Sequence, residues 1–494
     1  MSLERALLFA LRLLVRVYFR EIEVIGTDNV PRDRGGVLVA WHPNALVDPC
    51  LVTAEFPGRV VFGARHGLFG WPVLGAAMRA LGAVPIYRAM DRQALSPEER
   101  REANVRSLSA LASQVSGGAF AALFPEGLSH DEPKLAPVKT GAARLYYEAR
   151  ASLPPEAPAP VIVPVGLHYD EKHLFRSAAL VWFHAPLELP PELDARPAGE
   201  GDEAVSEAVS ERRVRELTAR IERALEDAVH PTDDWRTHRL IHRVRKLVRA
   251  ERARRAGAAV GRPTLEERTL GFARVQRAYY ERLASDPERA AALRDRVERY
   301  DDSLNALGLD DHELETNPPI GGLWLLALTL VQFVFVFLLL PPLLLLGYLV
   351  NGTAALLVLG VTRLLARNTK DIASHKLLVG AAVFPLTWLA VIPLGALAHG
   401  LIAARFPALP DMPIISGVIL SLASIAGGLH ALRYQHAARR AWKNLQVRFR
   451  RRRRRELIAE TLDVRAGIFD EVMELAEGLE LPGLVSADGV VGSG

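Results

Sequence analysis

Two short motifs in the first third of the chain carry residue types suited to acid–base chemistry. The first is WHPNALVDP at residues 41–49, which directly follows a predicted strand. The imidazole of His42 can take a proton from an alcohol near neutral pH, and the carboxylate of Asp48 can fix its tautomer. Taken alone, one histidine and one aspartate at this spacing more often mark a loop histidine and a helix-capping aspartate.

The second motif, LFPEGLSH at residues 123–130, also comes straight after an apolar strand. A rigid Pro-Glu-Gly turn at a strand end can hold the carboxylate of Glu126 toward a cleft, while Gly127 gives the backbone room. A plain strand-to-helix turn is the alternative interpretation. The segment 162–166, IVPVG, has the composition of a buried structural strand.

Three basic residues form a third set. Arg65, Arg88 and Lys139 each follow a predicted strand or open a predicted helix near one. Arginine can grip a phosphate with two parallel hydrogen bonds, so these residues are candidates for binding a phosphorylated substrate. Three solvated surface charges are the alternative.

Short apolar strands alternate with helical stretches over residues 21–190, which predicts an α/β domain. The predicted strands are Gly36 to Trp41, Arg59 to Gly63, Ala83 to Tyr87, Ala119 to Phe124, Val161 to Val165 and Leu180 to Phe183. The predicted helices between them include Val73 to Leu81, Ser96 to Ser116 and Val138 to Ala149. Both catalytic motifs then fall at strand ends, where a substrate can approach.

The first 20 residues predict an amphipathic helix, with arginines on a limited arc and leucine, valine, phenylalanine and alanine elsewhere. Such a helix can lie in a membrane interface or pack on the domain, and the pattern alone does not choose between them. It also lacks the cleavage pattern of a signal peptide.

Residues 191–315 are charged and predict a helical region without recognisable chemistry, whose histidines, His230 among them, are expected on solvated faces. The formal net charge of +4 does not indicate a nucleic-acid partner. The single cysteine, Cys50, excludes an internal disulfide. It enters an apolar helix, so we expect a core residue and not a nucleophile.

Residues 316–435 predict a transmembrane region of about four apolar segments, because a span needs about 20 apolar residues. The segments are Ile320 to Leu340, Leu343 to Val361, Leu377 to Ala403 and Pro413 to Leu432. Pro341-Pro342 separates the first two, which could instead form a re-entrant hairpin.

Positive charge flanks these segments on one side. The loop 362–376 and the tail 436–494, with six arginines at 450–455, carry the basic residues. The positive-inside rule therefore predicts a multi-pass membrane protein with a basic cytoplasmic tail and a cytoplasmic N-terminal domain. The arginine run is also expected to bind anionic membrane lipids.

Four blocks, in order, resemble the glycerolipid acyltransferases, the family of glycerol-3-phosphate and lysophosphatidic-acid acyltransferases. They are the His-to-Asp block at 42–48, the block 63–88 ending AVPIYR, FPEG at 124–127 and VPVG at 163–166. The first block has five residues between His and Asp where the family usually has four. That variant is similar to the fungal-type glycerol-3-phosphate/dihydroxyacetone-phosphate acyltransferase branch.

This resemblance covers roughly residues 21–190 and implies a glycerol-phosphate acyltransferase-like α/β domain there. The charge and hydropathy patterns place a helical region and a C-terminal bundle of transmembrane helices after this domain. The resemblance implies that His42 is the general base and Asp48 its partner. Arg88 would hold the acceptor phosphate, assisted by Lys139 and Arg65. Glu126 and Gly127 would shape the acceptor site.

The resemblance further implies an acyl thioester donor, acyl-CoA or an acyl carrier protein, a glycerol-phosphate acceptor and neither cofactor nor metal. Lysophosphatidic acid is the alternative acceptor. A non-catalytic membrane scaffold is disfavoured, because it has no need for His42, Asp48 and Glu126 together. A channel or transporter is disfavoured by the near absence of charge in the apolar segments.

Overall fold

A computed structural model describes residues 2–87, 96–195, 203–257, 261–315, 344–366, 368–486 and 489–493, with scattered positions between 327 and 338. These residues divide into two compact units. The first unit comprises residues 1–238, 263–269 and 368–374. The second comprises residues 239–262, 270–367 and 375–494.

The first unit is built on a seven-stranded sheet. Its strands are β1 (Glu21–Ile25), β2 (Gly36–Ala40), β3 (Val60–Arg65), β4 (Val84–Ile86), β5 (Phe120–Leu123), β6 (Val161–Tyr169) and β7 (Ala178–Phe183). Its helices include α1 (Leu3–Tyr18), α2 (Val47–Glu55), α3 (Pro72–Ala80), α4 (Pro97–Ser116), α5 (Gly141–Ser152), α6 (Pro191–Asp194) and α7 (Glu203–Val229). The α/β fold predicted for this part of the chain is confirmed.

The strands lie in the order β1-β7-β6-β2-β5-β3-β4. Strands β6, β2, β5, β3 and β4 are parallel to one another, and β7 runs antiparallel to β6. All five residues of β2 are buried, which explains its continuous apolar sequence in a sheet covered on both faces. The carboxyl ends of β2, β5, β3 and β4 therefore meet at one edge of the sheet.

The core on one face of this sheet includes helices α4, α5 and α7. Helix α7 contributes Val214, Leu217, Ile221 and Leu225, all buried with the sheet residues. The charge pattern predicted a separate helical region over residues 191–315, which would include α7. The structure instead places this helix in the first unit, because its apolar positions recur at helical spacing beneath a charged exposed face.

Two further elements differ from the sequence prediction. The edge strand β1 was not predicted, and it pairs with β7 from Glu21↔Ala178 to Ile25↔Trp182. The single helical stretch predicted from Leu265 to Leu307 is two helices, α9 (Leu265–Ser285) and α10 (Pro287–Leu307). Asp286 caps the second of these by accepting the backbone N–H of Arg289, and a proline starts it.

The second unit contains most of α8 (Trp235–Arg255) and of α9, all of α10, and four later helices. These are α11 (Leu345–Leu365), α12 (Thr369–Ala403, from His375 onward), α13 (Pro413–Arg453) and α14 (Arg455–Ala476). A short hairpin pairs β8 (Leu484–Val485) with β9 (Val491–Gly492). Apolar residues of α8, α10 and α14 share one core.

A buried arginine lies in this unit. Arg465 is fully buried on α14, forms an ion pair with Glu251 at 3.0 Å and donates to the carbonyl oxygen of Asp311 at 3.1 Å. Buried charges require such partners. The sequence predicted a basic tail over residues 436–494, whereas the structure packs its helix α14 into a core through Ile458, Ile468 and Phe469.

The arginine run at 450–455 makes contacts within the second unit. Arg450, Arg451 and Arg454 donate to the backbone carbonyl oxygens of Gly308, Leu314 and Ala306, at 2.5, 2.7 and 2.8 Å. Cations near the end of a helix satisfy its last carbonyl groups. Part of the run that we expected to bind lipid is therefore used to hold the end of α10.

Three described helices are long and apolar enough to cross a membrane: Leu345–Leu365, Thr369–Ala403 and the Pro413–Gln435 part of α13. They coincide with the second, third and fourth predicted apolar segments, so the chain is membrane-associated. The first predicted segment, Ile320 to Leu340, lies largely outside the described residues, as does Pro341-Pro342.

Small and polar residues join these apolar helices. A Cβ added at Gly347 of α11 would lie 2.4 Å from the backbone of Gly427 on α13. Beside this close approach, Asn351 donates to the carbonyl oxygen of Ser424 at 2.8 Å and accepts from the Trp388 indole at 3.0 Å. Small residues and interhelical hydrogen bonds are the usual means of packing helices in lipid.

Three histidines cluster in the first unit. The rings of His168 and His230 stack with centroids 6.4 Å apart, and His184 stacks on Trp182 at 4.9 Å. The expectation that His230 lies on a solvated helix face is therefore wrong. Burial lowers the pKa of His168 to about 3 and the pKa values of His184 and His230 to about 4.

We predict that these histidines make the fold sensitive to acid. The unfolded chain takes up protons below a pH of about 6.5, whereas the folded chain does so only near pH 4 and below. The contribution of these histidines to the free energy of unfolding is therefore fully present above pH 6.5 and is lost as the pH falls toward 4. Replacing His184 by Phe keeps the stack on Trp182 and removes one such proton.

The measurement is the thermal unfolding midpoint of the detergent-solubilised protein at pH 7 and pH 5. H184F is expected to lose less stability on acidification than the wild type, by roughly a few degrees. The control, His312→Gln, changes an exposed histidine of the second unit and should behave like the wild type. An equal loss in H184F and the wild type would show that His184 does not contribute.

Candidate active site

His42 and Asp48 form a hydrogen-bonded pair at the carboxyl edge of the sheet. His42 follows β2, and Asp48 lies in the first turn of α2. Nδ1 of His42 is 2.8 Å from Oδ2 of Asp48. The Asp48 side chain is fully buried, whereas the His42 side chain is 18 % exposed. With Nδ1 donating to the carboxylate, Nε2 is the nitrogen left to accept a proton.

Asp48 is held by three donors. Besides His42, the backbone N–H of Asn44 donates to Oδ2 at 2.7 Å, and the hydroxyl of Tyr169 donates to Oδ1 at 2.5 Å. Burial, reinforced by the charge of Asp48, raises the pKa of Tyr169 well above its ordinary value, so this phenol stays protonated and donates. Both carboxylate oxygens therefore have fixed partners.

The FPEG turn supports His42 from the neighbouring strand. The imidazole ring stacks on Phe124, with centroids 4.0 Å apart and an interplanar angle of 10°. Oε1 of Glu126 accepts the backbone N–H of His42 at 3.2 Å. Oε2 accepts the N–H of Ala136 at 2.7 Å and contacts Nε2 of His130 at 2.5 Å. Glu126 is buried and orders the motif through protein contacts, while its predicted place in the acceptor site stays a prediction.

Gly127 has a left-handed backbone, with φ of 71°. A Cβ at this position would lie 2.6 Å from Nζ of Lys139, so the lysine lies directly over the glycine. The left-handed conformation favours glycine here, whereas the flexible end of Lys139 could move away from a Cβ. The FPEG turn and Lys139, predicted separately from the sequence, are thus brought together.

Two of the three predicted phosphate-binding cations can be placed. Arg65 ends β3 and is exposed, and it pairs in register with Ile86 of β4. Lys139 is exposed before α5. Arg88, two residues beyond Ile86, lies outside the described residues. Since β3 and β2 are both parallel to β5, which lies between them, Arg65 lies at the same sheet edge as the His42 strand end.

Several residues of the site were not predicted from the sequence. Lys172 donates from Nζ to the carbonyl oxygen of Pro43 at 3.3 Å and forms an ion pair with Asp131. Its own carbonyl oxygen accepts from the side chain of Asn44 at 3.0 Å. Asn44 and His130 stand inside the quoted motifs WHPNALVDP and LFPEGLSH. Tyr169 and Lys172 enter the site through the sheet and the loop after β6.

Cys50 has no nucleophilic character in this structure. Burial, with a smaller contribution from Asp48, raises the pKa of the thiol to about 12. The thiolate is the reactive form, so the thiol is inert near neutral pH. Among the residues that the structure describes, no group of three histidine, cysteine or acidic side chains is arranged to hold a metal ion.

Known proteins resemble this chain in the region of the site. Residues 21–168 match the protein family described as Acyltransferase. An uncharacterized acyltransferase of Schizosaccharomyces pombe is 23% identical over 391 residues, which cover 63% of this chain and 54% of that protein. Glycerol-3-phosphate O-acyltransferase 2 of Saccharomyces cerevisiae is 30% identical over 194 residues, covering 39% of this chain and 23% of that protein.

The second yeast enzyme, glycerol-3-phosphate O-acyltransferase 1, is 29% identical over 193 residues with the same coverage. The chain therefore spans about half or less of the curated relatives it matches. Among solved structures, the 1-acyl-sn-glycerophosphate (LPA) acyltransferase of Thermotoga maritima is 21% identical, covering 44% of this chain and 82% of that one, with a TM-score of 0.28.

The family match covers the strand ends that carry His42, Asp48, Glu126 and Gly127, and it stops one residue before Tyr169. The prediction made from the order of the motifs is confirmed. Over residues 21–168, this chain carries a domain of the acyltransferase family.

Proposed function

We propose that this protein is an O-acyltransferase that moves a fatty acyl group from an acyl thioester to glycerol 3-phosphate or a related glycerol-phosphate acceptor. The observation that carries the proposal is the buried Asp48 paired with Nδ1 of a partly exposed His42. It fits the requirement of acyl transfer to an alcohol, which is a base positioned to accept one proton.

In this mechanism Nε2 of His42 takes the proton of the acceptor hydroxyl as its oxygen attacks the thioester carbonyl carbon. Asp48 stabilises the imidazolium that forms and keeps the proton of Nδ1 in place. The stacked Phe124 limits rotation of the ring, and Glu126 fixes the backbone beneath it.

The tetrahedral intermediate then collapses by breaking its carbon–sulfur bond. The leaving thiolate takes the proton from Nε2 of His42, which returns the imidazole to its starting form. The products are the acyl ester and the free thiol. The hydroxyl attacks the thioester directly, so no covalent enzyme intermediate forms, in keeping with the inert thiol of Cys50.

The proposed acceptor-phosphate site is formed by the predicted cations. Arg88 is proposed as the main contact, with Lys139 and Arg65 assisting, because arginine binds phosphate through paired hydrogen bonds. The position of Lys139 over Gly127, beside the Glu126 turn, supports this assignment. Acyl-CoA is the proposed donor, with an acyl carrier protein as the other thioester of the same chemistry.

The proposed location of the acyltransferase domain is the cytoplasmic side of the membrane. The short connection between α11 and α12 and the end of α13 carry basic residues, whereas the connection 404–412 carries one arginine and one aspartate. The positive-inside rule places the basic connections in the cytoplasm. The exposed apolar residues Phe9, Leu13 and Val17 of α1 support an interfacial role for that helix.

The proposed activity is tested with purified protein, labelled acyl-CoA and a panel of phosphorylated acceptors. We expect transfer to glycerol 3-phosphate in the wild type. His42→Ala should lower kcat by about 10²–10⁴-fold, since the base is lost. His312→Ala, which changes an exposed histidine of the second unit, is the control and should keep wild-type activity. Near wild-type turnover in H42A would contradict the mechanism.

We predict that Tyr169 is required for full turnover. Tyr169→Phe removes the hydroxyl that donates to Asp48 and should lower kcat by about tenfold, with small changes in KM. Tyr18→Phe is the matched control, because the buried Tyr18 hydroxyl has no hydrogen-bond partner among the described residues. Equal effects of Y169F and Y18F on kcat would show that the Tyr169–Asp48 contact does not matter.

The proposed topology predicts opposite labelling of two exposed positions. In a Cys50→Ala background, Asp411→Cys should react with a membrane-impermeant maleimide outside intact cells, because it lies between α12 and α13. Glu456→Cys, just beyond the arginine run, should react only after permeabilisation. The reverse pattern would place the arginine run outside and overturn the proposed orientation.

A further inference from the structure

The start of α12, with residues 368–374, belongs to the same unit as the acyltransferase sheet. Oγ of Ser374 accepts the backbone N–H of Leu46 at 3.0 Å. Nζ of Lys370 donates to the carbonyl oxygen of Ser129 at 2.5 Å. Ser374 is buried at 7 % exposure, so its hydroxyl is enclosed at this contact.

One contact acts directly on the loop between His42 and Asp48, and the other acts through Ser129. Three successive backbone N–H groups of this loop have three different acceptors: Asn44 donates to Asp48, Ala45 to Oγ of Ser129, and Leu46 to Oγ of Ser374. Lys370 holds the same Ser129 through its carbonyl oxygen. Segment 368–374 therefore supports Leu46 directly and Ala45 through Ser129.

The loop needs such support from outside. Ala45 has a φ of 41°, a left-handed conformation that costs free energy for any residue with a Cβ. Leu46 is the N-cap residue of α2, and its own side chain makes no capping hydrogen bond. The first N–H groups of a helix have no partner within the helix. Ser374 supplies an acceptor at this end from 328 residues away.

The conformation of this loop sets the geometry of catalysis. Asp48 lies in the first turn of α2, two residues after Leu46, and it orients the His42 ring. A shift of the loop would move the carboxylate relative to Nδ1 of His42. Misplacement of a catalytic group by about 1 Å can lower a rate by roughly 10²-fold.

We propose that Ser374 and Lys370 are positioning residues for the His42–Asp48 pair, so that the catalytic loop depends on the start of an apolar helix that continues to Ala403. This inference rests on the proposed acyl transfer. It implies that the residues matched to the acyltransferase family, 21–168, do not by themselves complete the site, because residues 368–374 hold its central loop.

The test compares four variants of the full chain in detergent. Ser374→Ala and Lys370→Met should each lower kcat by about tenfold while KM for both substrates stays within about twofold. Ser374→Thr keeps the acceptor hydroxyl and should restore most of the activity. Thr369→Ala changes an exposed hydroxyl in the same turn and should behave like the wild type. Thermal unfolding midpoints show whether each variant is folded.

A second measurement does not depend on activity. Amide hydrogen exchange over residues 44–50 should be faster in S374A than in the wild type and unchanged in T369A. If the wild type is inactive but the exchange pattern is as expected, acyl transfer is refuted while the contact between Ser374 and the loop is supported. An active wild type with unchanged kcat and exchange in S374A and K370M would overturn the inference. Activity lost equally in S374A and S374T would overturn it as well.

Discussion

The buried carboxylate of Asp48 is the interaction on which the site depends. A buried carboxylate requires hydrogen-bond donors, and the structure supplies them from His42, from the backbone of Asn44 and from Tyr169. These donors come from the end of β2, the following loop and the end of β6. The sheet must therefore bring β2 and β6 side by side, which their parallel pairing does. In this arrangement one proton acceptor, Nε2 of His42, is left facing the accessible side.

The same constraint explains why distant segments are needed. The loop 44–46 is short and includes Ala45 in a left-handed conformation, so it cannot satisfy its own N–H groups. Ser129, two residues after the FPEG motif, supplies one acceptor, and Ser374 supplies another from the start of α12. The three loop residues 44–46 are thus held by the helix that carries Asp48, by the end of the neighbouring strand and by the start of an apolar helix. The proposed catalytic geometry therefore depends on segments far apart in the sequence.

Strand positions and the proposed catalytic pair were predictable because buried parallel strands leave continuous apolar runs and their ends carry the motifs. The support for these residues was not predictable. Tyr169 resembles any aromatic residue at the end of a strand, and Ser374 any small residue in an apolar helix. Tyr169 contacts Asp48, which lies 121 residues away in the sequence, and Ser374 contacts Leu46, which lies 328 residues away. Helix α7 was misassigned because its charged face hides the apolar positions that pack on the sheet.

The proposed mechanism requires that Asp48 holds the proton of His42 on Nδ1, so that Nε2 can accept the proton of the acceptor hydroxyl. The most direct measurement is kcat for acyl transfer in Asp48→Asn, with thermal unfolding used to confirm that the variant is folded. An asparagine amide can donate to Nδ1 and leave the proton on Nε2, so D48N is expected to lower kcat by about 100-fold or more. Near wild-type turnover in folded D48N would contradict the mechanism.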